Sequence, residues 1–266
     1  MDSIALHEIT TRTGKRSLRV LFEPLLRAPE IKATFLGPFE VNGEPYTLPC
    51  FTYCAPKSPD PIRLGIFGAI HGDEAAGALG LVQFLLELAT QPEWASGYHI
   101  HAYPVCNPTG FEDNTRCSRR GRDLNREFWK KSPEPEVQIL EEELAARHFD
   151  GLIQLHADDT SEGLYGFVRG HTLTENLLRP ALLEAGKILP RNTSPAIDGF
   201  AARDGIIYKH YEGVLAAPRE IEPVPFEIIF ETPHHAPMEL QVRALLVALR
   251  TIMTEYRLLQ SFAQNI

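Results

Sequence analysis

From residue 62 onward, short apolar runs alternate with longer segments whose apolar residues recur at helical spacing. The apolar runs predict buried strands at Leu64–Ile70, Tyr98–Val105, Gly151–Leu155 and Pro225–Phe230. The helically spaced segments predict helices at Glu74–Thr90, Glu134–His148, Leu173–Leu189 and Met238–Ser261. Because strands alternate with helices, this pattern indicates an α/β fold with a doubly wound, largely parallel or mixed sheet.

The first sixty residues follow a different pattern. They predict a short helix at Leu18–Leu26, interrupted by Pro24, and then two strands at Ala33–Glu40 and Tyr46–Tyr53. Asn42-Gly43 lies between the strands and is typical of a hairpin turn. A linker is predicted at 57–61. We therefore expect a single domain over 1–266, with 1–60 as an N-terminal extension and 61–266 as the core.

The composition restricts where the protein acts and what it binds. The chain has 266 residues, of which 44% are hydrophobic, and a net charge of −9. An acidic chain is not expected to bind nucleic acid or anionic membranes through general charge attraction. The N-terminus lacks a signal-peptide pattern, and no apolar run reaches the length of a membrane span. With four irregularly spaced cysteines expected to be free thiols, these features predict a cytoplasmic protein.

Ionisable residues follow three of the predicted strands. His71 and Glu74 come after the first strand, His156 after the third and Glu231 after the fourth. Open α/β sheets place ligand sites at the carboxyl ends of their strands, so these side chains should converge. Two histidines and one glutamate, with a fourth position left for water, form a catalytic zinc ligand set. The remaining acid, Glu231, is then free to act as a base.

An arginine-rich segment follows the second strand. Asn107-Pro108-Thr109-Gly110 leads into 116–126, which holds five arginines and is predicted to be a loop. A solvated charge cluster or a nucleic-acid contact would also explain these arginines. Arginine makes bidentate bonds to carboxylates, and the segment follows a strand of the same sheet. A pocket that pairs zinc with arginine fits an anionic substrate.

Together these motifs resemble the zinc metallocarboxypeptidases. The resemblance rests on His71-Gly72-Asp73-Glu74, Asn107-Pro108-Thr109-Gly110, Asp123-Leu124-Asn125-Arg126 and Glu231, and it spans residues 62 to 260. The chain is most similar to compact bacterial members of the murein peptide amidase type. Aspartoacylases and succinylglutamate desuccinylases share the same zinc core. The resemblance implies a three-layer α/β/α fold, phosphorylase/hydrolase-like, with a mostly parallel mixed sheet, and 61–266 as the zinc peptidase core of a single catalytic domain.

The resemblance also implies a role for each motif residue. One zinc ion would be held by His71, Glu74 and His156. Glu231 would be the general base, and Arg116 would polarise the scissile carbonyl. The substrate would be bound by Asn125 and Arg126, which hold its carboxylate, and by a mobile tyrosine at Tyr208, with Tyr211 or Tyr165 as alternatives.

Several neighbouring residues have less specific interpretations. Asp73 and Asp123 are expected to organise the loops or to orient a ligating histidine, as carboxylates beside metal ligands often do. Asp158 and Asp159 are interpreted as part of a solvated loop, and His234-His235 as a surface turn.

Three functions are compatible with this sequence. The leading hypothesis is a zinc hydrolase of the carboxypeptidase or peptide amidase type that cleaves an amide beside a free carboxylate. The first alternative is a deacylase of N-acyl amino acids, which resembles the same core. The residues after Glu231 predict one helix rather than a β-rich domain, which favours the peptidase form. A non-catalytic binding protein on this fold is the third possibility. Neither the substrate side chain nor the oligomeric state is predicted.

Overall fold

The structure is a computed structural model that describes residues 6–11, 13–55, 60–209 and 212–263. Its α-helices are α1 (Leu6–Ile9), α2 (Leu18–Arg27), α3 (Ala75–Thr90), α4 (Pro108–Asp113), α5 (Pro135–Arg147), α6 (His171–Leu173), α7 (Arg179–Ala185) and α8 (Met238–Ala263). Its strands are β1 (Lys32–Val41), β2 (Glu44–Cys54), β3 (Ile62–Gly68), β4 (Tyr98–Tyr103), β5 (Gly151–Asp158), β6 (Tyr165–Val168), β7 (Ala196–Ile197), β8 (Phe200–Arg203), β9 (Ile206–Ile207) and β10 (Phe226–Pro233).

The strands form one ten-stranded mixed sheet in the order β1-β2-β4-β3-β5-β10-β6-β9-β8-β7. The four central strands, β4, β3, β5 and β10, run parallel to one another. The flanks are mainly antiparallel, with β2 pairing to β4 on one side and β6 pairing to β10 on the other. The predicted α/β fold is therefore confirmed, with its parallel part concentrated at the centre of the sheet.

Helices cover both faces of the sheet and give the three layers. One apolar core contains α2, α3, α7 and α8 side chains, and the other contains the buried face of α5. Strand β5 alternates between them, because Ile153 and Leu155 belong to the first core whereas Leu152 belongs to the second. A strand buried on both faces reads as a continuous apolar run, which explains why β5 was visible in the sequence.

The N-terminal extension adds the predicted hairpin to the sheet edge. Val41 pairs with Glu44 across the turn, where Asn42 and Gly43 have φ values of 53° and 80°. Positive φ at both positions is what a tight type I′ turn requires. Strand β2 then pairs with β4 and joins the hairpin to the core. Most of the predicted linker at 57–61 lies outside the described residues.

The structure differs from the sequence prediction in three places. The segment predicted as a loop after β4 contains α4, because the Asn107 side chain accepts a hydrogen bond from the Gly110 N–H and Pro108 opens the helix. The helix predicted at Leu173–Leu189 includes a π-helical turn at Thr174–Leu178 and ends with α7. The short strands β6 to β9 were not predicted. The four cysteines are free thiols, as expected.

Within the described part of the chain, no helix combines the length and apolar character needed to cross a lipid bilayer.

Candidate active site

Two central strands deliver the three candidate metal ligands to one edge of the sheet. His71 follows β3 after a sharp turn in which Ala69 has a φ of 43°, a left-handed conformation that is uncommon for a residue with a side chain. Glu74 sits at the N-terminus of α3, and His156 is the sixth residue of β5. Their side chains converge because β3 and β5 are adjacent and parallel.

The three side chains form a compact, buried cluster. Glu74 Oε1 lies 2.6 Å from His71 Nδ1, and Glu74 Oε2 lies 2.9 Å from His156 Nδ1. One potential ligand atom from each residue lies within 4.8 Å of the other two. Two imidazole nitrogens and one carboxylate oxygen are the donor set of catalytic zinc sites, so these residues fit a zinc ion by their chemistry and their spacing.

The electrostatics of the cluster match a cation site. Burial alone would raise the pKa of the Glu74 carboxyl, but His71 and His156 lower it below its usual range. Burial opposes protonation of His71, yet Glu74 and Asp123 outweigh it and raise the pKa of that imidazole to about 9. A positive charge is therefore favoured between these groups, and a bound metal would replace the proton.

Asp123 contacts His71 on the side of the ring opposite to Glu74. Its Oδ1 lies 3.1 Å from His71 Nε2, the ring nitrogen that does not face Glu74. Its Oδ2 accepts hydrogen bonds from Nε and Nη2 of Arg116, at 3.2 and 3.1 Å. A carboxylate on the outer nitrogen of a ligating histidine fixes the ring and raises its basicity. The expected loop-organising role of Asp123 thus extends to a direct contact with His71.

Glu231 lies beside the cluster on the next parallel strand. It occupies β10 in register with His156, and its side chain lines the cavity described below. Burial raises the pKa of the Glu231 carboxyl well above its ordinary value, and the nearby Glu74, Asp158 and Asp198 carboxylates add to the shift. A carboxylate that gains a proton readily has the property required of a general base.

A cavity of about 370 Å³ surrounds these groups. The sequence-predicted residues that line it are His71, Glu74, Arg116, Asn125, Arg126, His156 and Glu231. The apolar residues of its walls include Phe167, Ile207, Val214 and Ile229. A concave site that combines apolar walls with convergent polar groups is typical of small-molecule binding.

The candidate carboxylate-binding residues are fixed by their backbone surroundings. Asn125 Oδ1 accepts a hydrogen bond from the Leu215 N–H at 2.9 Å, which leaves the amide NH₂ of Asn125 as its donor group toward the cavity. Arg126 Nη1 donates to the Asn125 carbonyl at 2.8 Å. Both residues belong to a 3₁₀ turn at Leu124–Arg126, which is capped by the Asp123 side chain through a hydrogen bond from the Asn125 N–H to Asp123 Oδ1 at 3.1 Å.

Of the tyrosines considered for substrate contact, Tyr165 lies at the cavity and Tyr208 does not. Tyr208 is 56% exposed and lies outside the cavity lining, since its side chain borders a separate surface depression with Lys209 and His171. The alternative Tyr165 lines the cavity and donates a hydrogen bond to Asp158 Oδ2 at 2.8 Å. Tyr211 lies outside the described residues.

The cavity is also lined by polar residues that the sequence pattern placed elsewhere or did not indicate. Asp158 and Asp159 were interpreted as a solvated loop and His234 as part of a surface turn, yet all three are at the cavity wall. Asp198, in the turn between β7 and β8, also lines it. Asp158 is two residues beyond a ligand, a signal that the sequence offered, whereas nothing in the sequence placed Asp198 near His156.

The metal-ligand loop is braced by two neighbours. A Cβ on Gly72 would lie 2.0 Å from the Gly110 carbonyl carbon, so the loop packs directly on the backbone of α4. Arg16, from the N-terminal extension, is 8% exposed and donates a 2.7 Å hydrogen bond from Nη1 to the Gly72 carbonyl. It also contacts Asn114 Oδ1 and the Phe111 ring. Arg16 lies 56 residues before Gly72 and belongs to no motif, so sequence reasoning missed it.

One part of the chain matches the model of a known protein family. Residues 61–188 match the model of the family described as "Succinylglutamate desuccinylase/Aspartoacylase catalytic domain". This segment contains the three candidate ligands and the arginine-rich segment. No curated protein matches this chain in sequence.

Solved structures with the same fold include bacterial metallopeptidases. A candidate metallopeptidase from Shewanella baltica OS155 is 24% identical, with 88% of this chain and 90% of that chain covered and a TM-score of 0.72. A metallo-carboxypeptidase from Burkholderia cenocepacia is 18% identical, with 91% and 68% covered and a TM-score of 0.67. A metallo-carboxypeptidase from Pseudomonas aeruginosa, in complex with (2-guanidinoethylmercapto)succinic acid, is 18% identical, with 91% and 69% covered and a TM-score of 0.65.

These comparisons support a metal-dependent hydrolase. The expected resemblance is confirmed at the level of the fold, which this chain shares with metallopeptidases and metallo-carboxypeptidases, and its residues 61–188 match the model of the succinylglutamate desuccinylase/aspartoacylase catalytic domain.

Proposed function

We propose that this protein is a zinc-dependent hydrolase of the carboxypeptidase or peptide amidase type. It would cleave an amide bond next to a free carboxylate in a small peptide. The observation that carries the proposal is that a His-Glu-His cluster, an acid with a raised pKa and two arginines line one cavity. We place this chemistry in a single catalytic domain, and the free cysteines support a cytoplasmic setting.

The metal would be one zinc ion held by His71, Glu74 and His156. When bound there, it would supply a Lewis acid and lower the pKa of a water molecule from near 16 to roughly 7. Asp123 keeps the His71 ring in place for this role through its 3.1 Å contact.

The remaining steps belong to the side chains of the cavity. Glu231 removes a proton from the attacking water and then passes it to the leaving amide nitrogen. The Arg116 guanidinium stabilises the negative charge that develops on the carbonyl oxygen. Asn125 and Arg126 bind the carboxylate of the substrate and align its amide with Glu231.

Deacylation of an N-acyl amino acid is the second candidate function. The match of residues 61–188 to the desuccinylase and aspartoacylase model favours it. The same base, arginine and carboxylate-binding residues would serve that reaction, because its substrate also has an amide beside a free carboxylate. The two functions differ in what lies on the acyl side of the scissile bond.

A hydrolysis screen of the zinc-loaded protein tests the proposal. The substrates are short peptides with free C-termini, a γ-D-glutamyl-diaminopimelate peptide, N-succinylglutamate and N-acetylaspartate. Released amino acids are quantified by mass spectrometry. We expect release of a C-terminal residue or fragment that stops on chelation and returns when zinc is restored.

Each substrate class gives a distinct outcome. Hydrolysis of only the N-acyl amino acids would replace the peptidase proposal with the deacylase. If the zinc-loaded protein hydrolyses nothing yet binds these ligands, the non-catalytic binding protein is correct. Activity that persists after complete chelation would contradict metal dependence.

A further inference from the structure

A second cavity of about 610 Å³ adjoins the one that holds the metal cluster. We call it the side groove. It is formed by two segments, residues 158–163 and 190–198, and it shares Asp158, Thr160 and Asp198 with the first cavity. The two cavities therefore meet at these three residues.

The walls of the side groove are tied to each other. Asn192 Nδ2 donates to Ser161 Oγ at 2.7 Å, and the Asn192 N–H donates to the Leu164 carbonyl at 2.9 Å. A Cβ on Gly163 would lie 2.5 Å from the Asn192 nitrogen, so the two segments are in direct backbone contact. A groove held by such contacts is already formed before a ligand arrives, which lowers the entropic cost of binding.

The position of the groove relates it to the reaction centre. Asp158 is two residues beyond His156 on β5, and β10 carries Glu231 beside it. The candidate carboxylate-binding residues Asn125 and Arg126 line the first cavity and do not line the groove. With the carboxylate of a substrate at Arg126 and its amide at Glu231, we infer that its acyl side extends to the junction with the groove at Asp158, Thr160 and Asp198.

The charges of the groove select the kind of group that fits it. Asp158, Glu162 and Asp198 line it, and Arg191 is the one lysine or arginine among the described residues of its lining. An acidic lining favours cationic partners and disfavours anionic ones. The exposed wall residues Thr193 and Ser194 add hydroxyl groups, which suit peptide backbone.

We propose that the side groove binds the residues of a peptide substrate on the acyl side of the scissile amide, and that it prefers cationic side chains there. This inference rests on the proposed peptidase function and specifies its substrate: a peptide of three or more residues rather than an N-acyl amino acid. An N-succinyl or N-acetyl group ends before the groove, and a succinyl carboxylate would meet Asp158 and Asp198.

The test compares peptides that share one C-terminal residue. The first substrate is an N-acetylated amino acid, which ends before the groove. The second is a tetrapeptide that enters the groove and has lysine immediately before the residue that supplies the scissile carbonyl. The third is a matched tetrapeptide with glutamate at the lysine position. The key variant is Thr193→Trp, which fills the groove from an exposed wall position far from the metal ligands. Thr90→Trp, at the exposed end of α3, is the matched control.

We expect the lysine peptide to exceed both other substrates in kcat/KM by about tenfold, as remote contacts are used to align the amide. Thr193→Trp should remove that advantage while leaving the acetylated amino acid unaffected, and Thr90→Trp should change neither. Added salt should narrow the lysine-glutamate difference, since it screens the acidic lining.

A binding measurement separates failure of the groove from failure of the proposed function. Fluorescence anisotropy of the labelled peptides with Glu231→Gln reports binding without turnover. Equal rates and equal affinities for all peptides, unchanged by Thr193→Trp, would overturn the groove assignment while peptide hydrolysis itself stands. Absence of hydrolysis with tight binding of the lysine peptide that Thr193→Trp abolishes would refute the peptidase and retain the groove.

Discussion

The cavity at the candidate metal cluster and the adjoining side groove are built in contrasting ways. At the metal end, the ligands are almost fully buried, with His71, Glu74 and His156 each at most 4% exposed and each within hydrogen-bond distance of another group. At the groove end, Glu162, Thr193 and Asp198 are exposed on loops of the antiparallel flank. The first end is fixed by central parallel strands, whereas the second stands on segments that tolerate substitution.

This contrast separates chemistry from selectivity. Side chains locked by burial and hydrogen bonds provide the accurate geometry that bond cleavage demands. Exposed loop residues alter which substrate is accepted without disturbing that geometry. Variants at the metal end should therefore reduce turnover or metal binding for every substrate, and variants elsewhere should act on particular substrates or on stability alone.

The largest effect is expected for Glu231→Gln. Removal of the base should lower kcat by about 10² to 10⁴-fold on all substrates, since that is the usual contribution of a general base. Zinc content, measured by inductively coupled plasma mass spectrometry, should stay at the wild-type level. Asp159→Asn, an exposed acid in the same cavity, is the control. Near-normal turnover in Glu231→Gln would contradict the assignment of Glu231 as the general base.

The next largest effect is expected for Arg126→Ala, and its size should depend on the substrate. Loss of hydrogen bonds to a charged group costs about 1.5–3 kcal/mol, or roughly 10- to 100-fold in kcat/KM for free-carboxylate substrates. Steady-state kinetics on a peptide and on its C-terminal carboxamide measure the difference. If both lose activity equally, Arg126 does not act by binding the carboxylate.

Asp123→Asn tests how far zinc affinity depends on residues that contact the candidate ligands without binding the metal. Weaker orientation of His71 should lower zinc affinity by about 10- to 100-fold, which competition with a chromophoric chelator measures. Asp113→Asn is the matched control, because Asp113 pairs with Arg119 and Lys15 away from the ligands. Unchanged affinity in Asp123→Asn would show that the His71 contact is dispensable.

The smallest effect on catalysis is expected for Arg16→Met. The change leaves the Gly72 carbonyl without its buried donor and should lower the free energy of unfolding by about 1–3 kcal/mol, as seen in urea titrations. Turnover per zinc-loaded molecule should change little. The exposed Arg19→Met provides the control. A large fall in turnover at constant zinc content would mean that the N-terminal extension takes a direct part in the chemistry.

The same contrast governs what the sequence revealed. His71, His156 and Glu231 each follow an apolar run in the sequence, so β3, β5 and β10 and the residues toward their carboxyl ends were predictable. Strands of two to four residues, such as β7 and β9, are too short for a periodic pattern, so the groove wall was not. Arg16 reaches Gly72 across 56 residues, and no local signal encodes such a contact.

Two differences between sequence and structure have local physical causes. A six-residue helix offers no apolar periodicity, so α4 lay in a segment that was predicted to be a loop. Tyr208 was assigned through the resemblance to the metallocarboxypeptidases. Its side chain projects outward from the end of β9, and Tyr165, at the start of β6, reaches the cavity.

The contact of Gly72 with the Gly110 backbone has a consequence for anyone who would transplant this site. No space separates the two main chains, so a host scaffold must accept the histidine loop and the helix before the arginines as one rigid insert. Grafting the His-Gly-Asp-Glu motif alone would leave it without the surface on which it rests. The smallest portable form of this centre is thus a pair of segments, about forty residues apart in the chain.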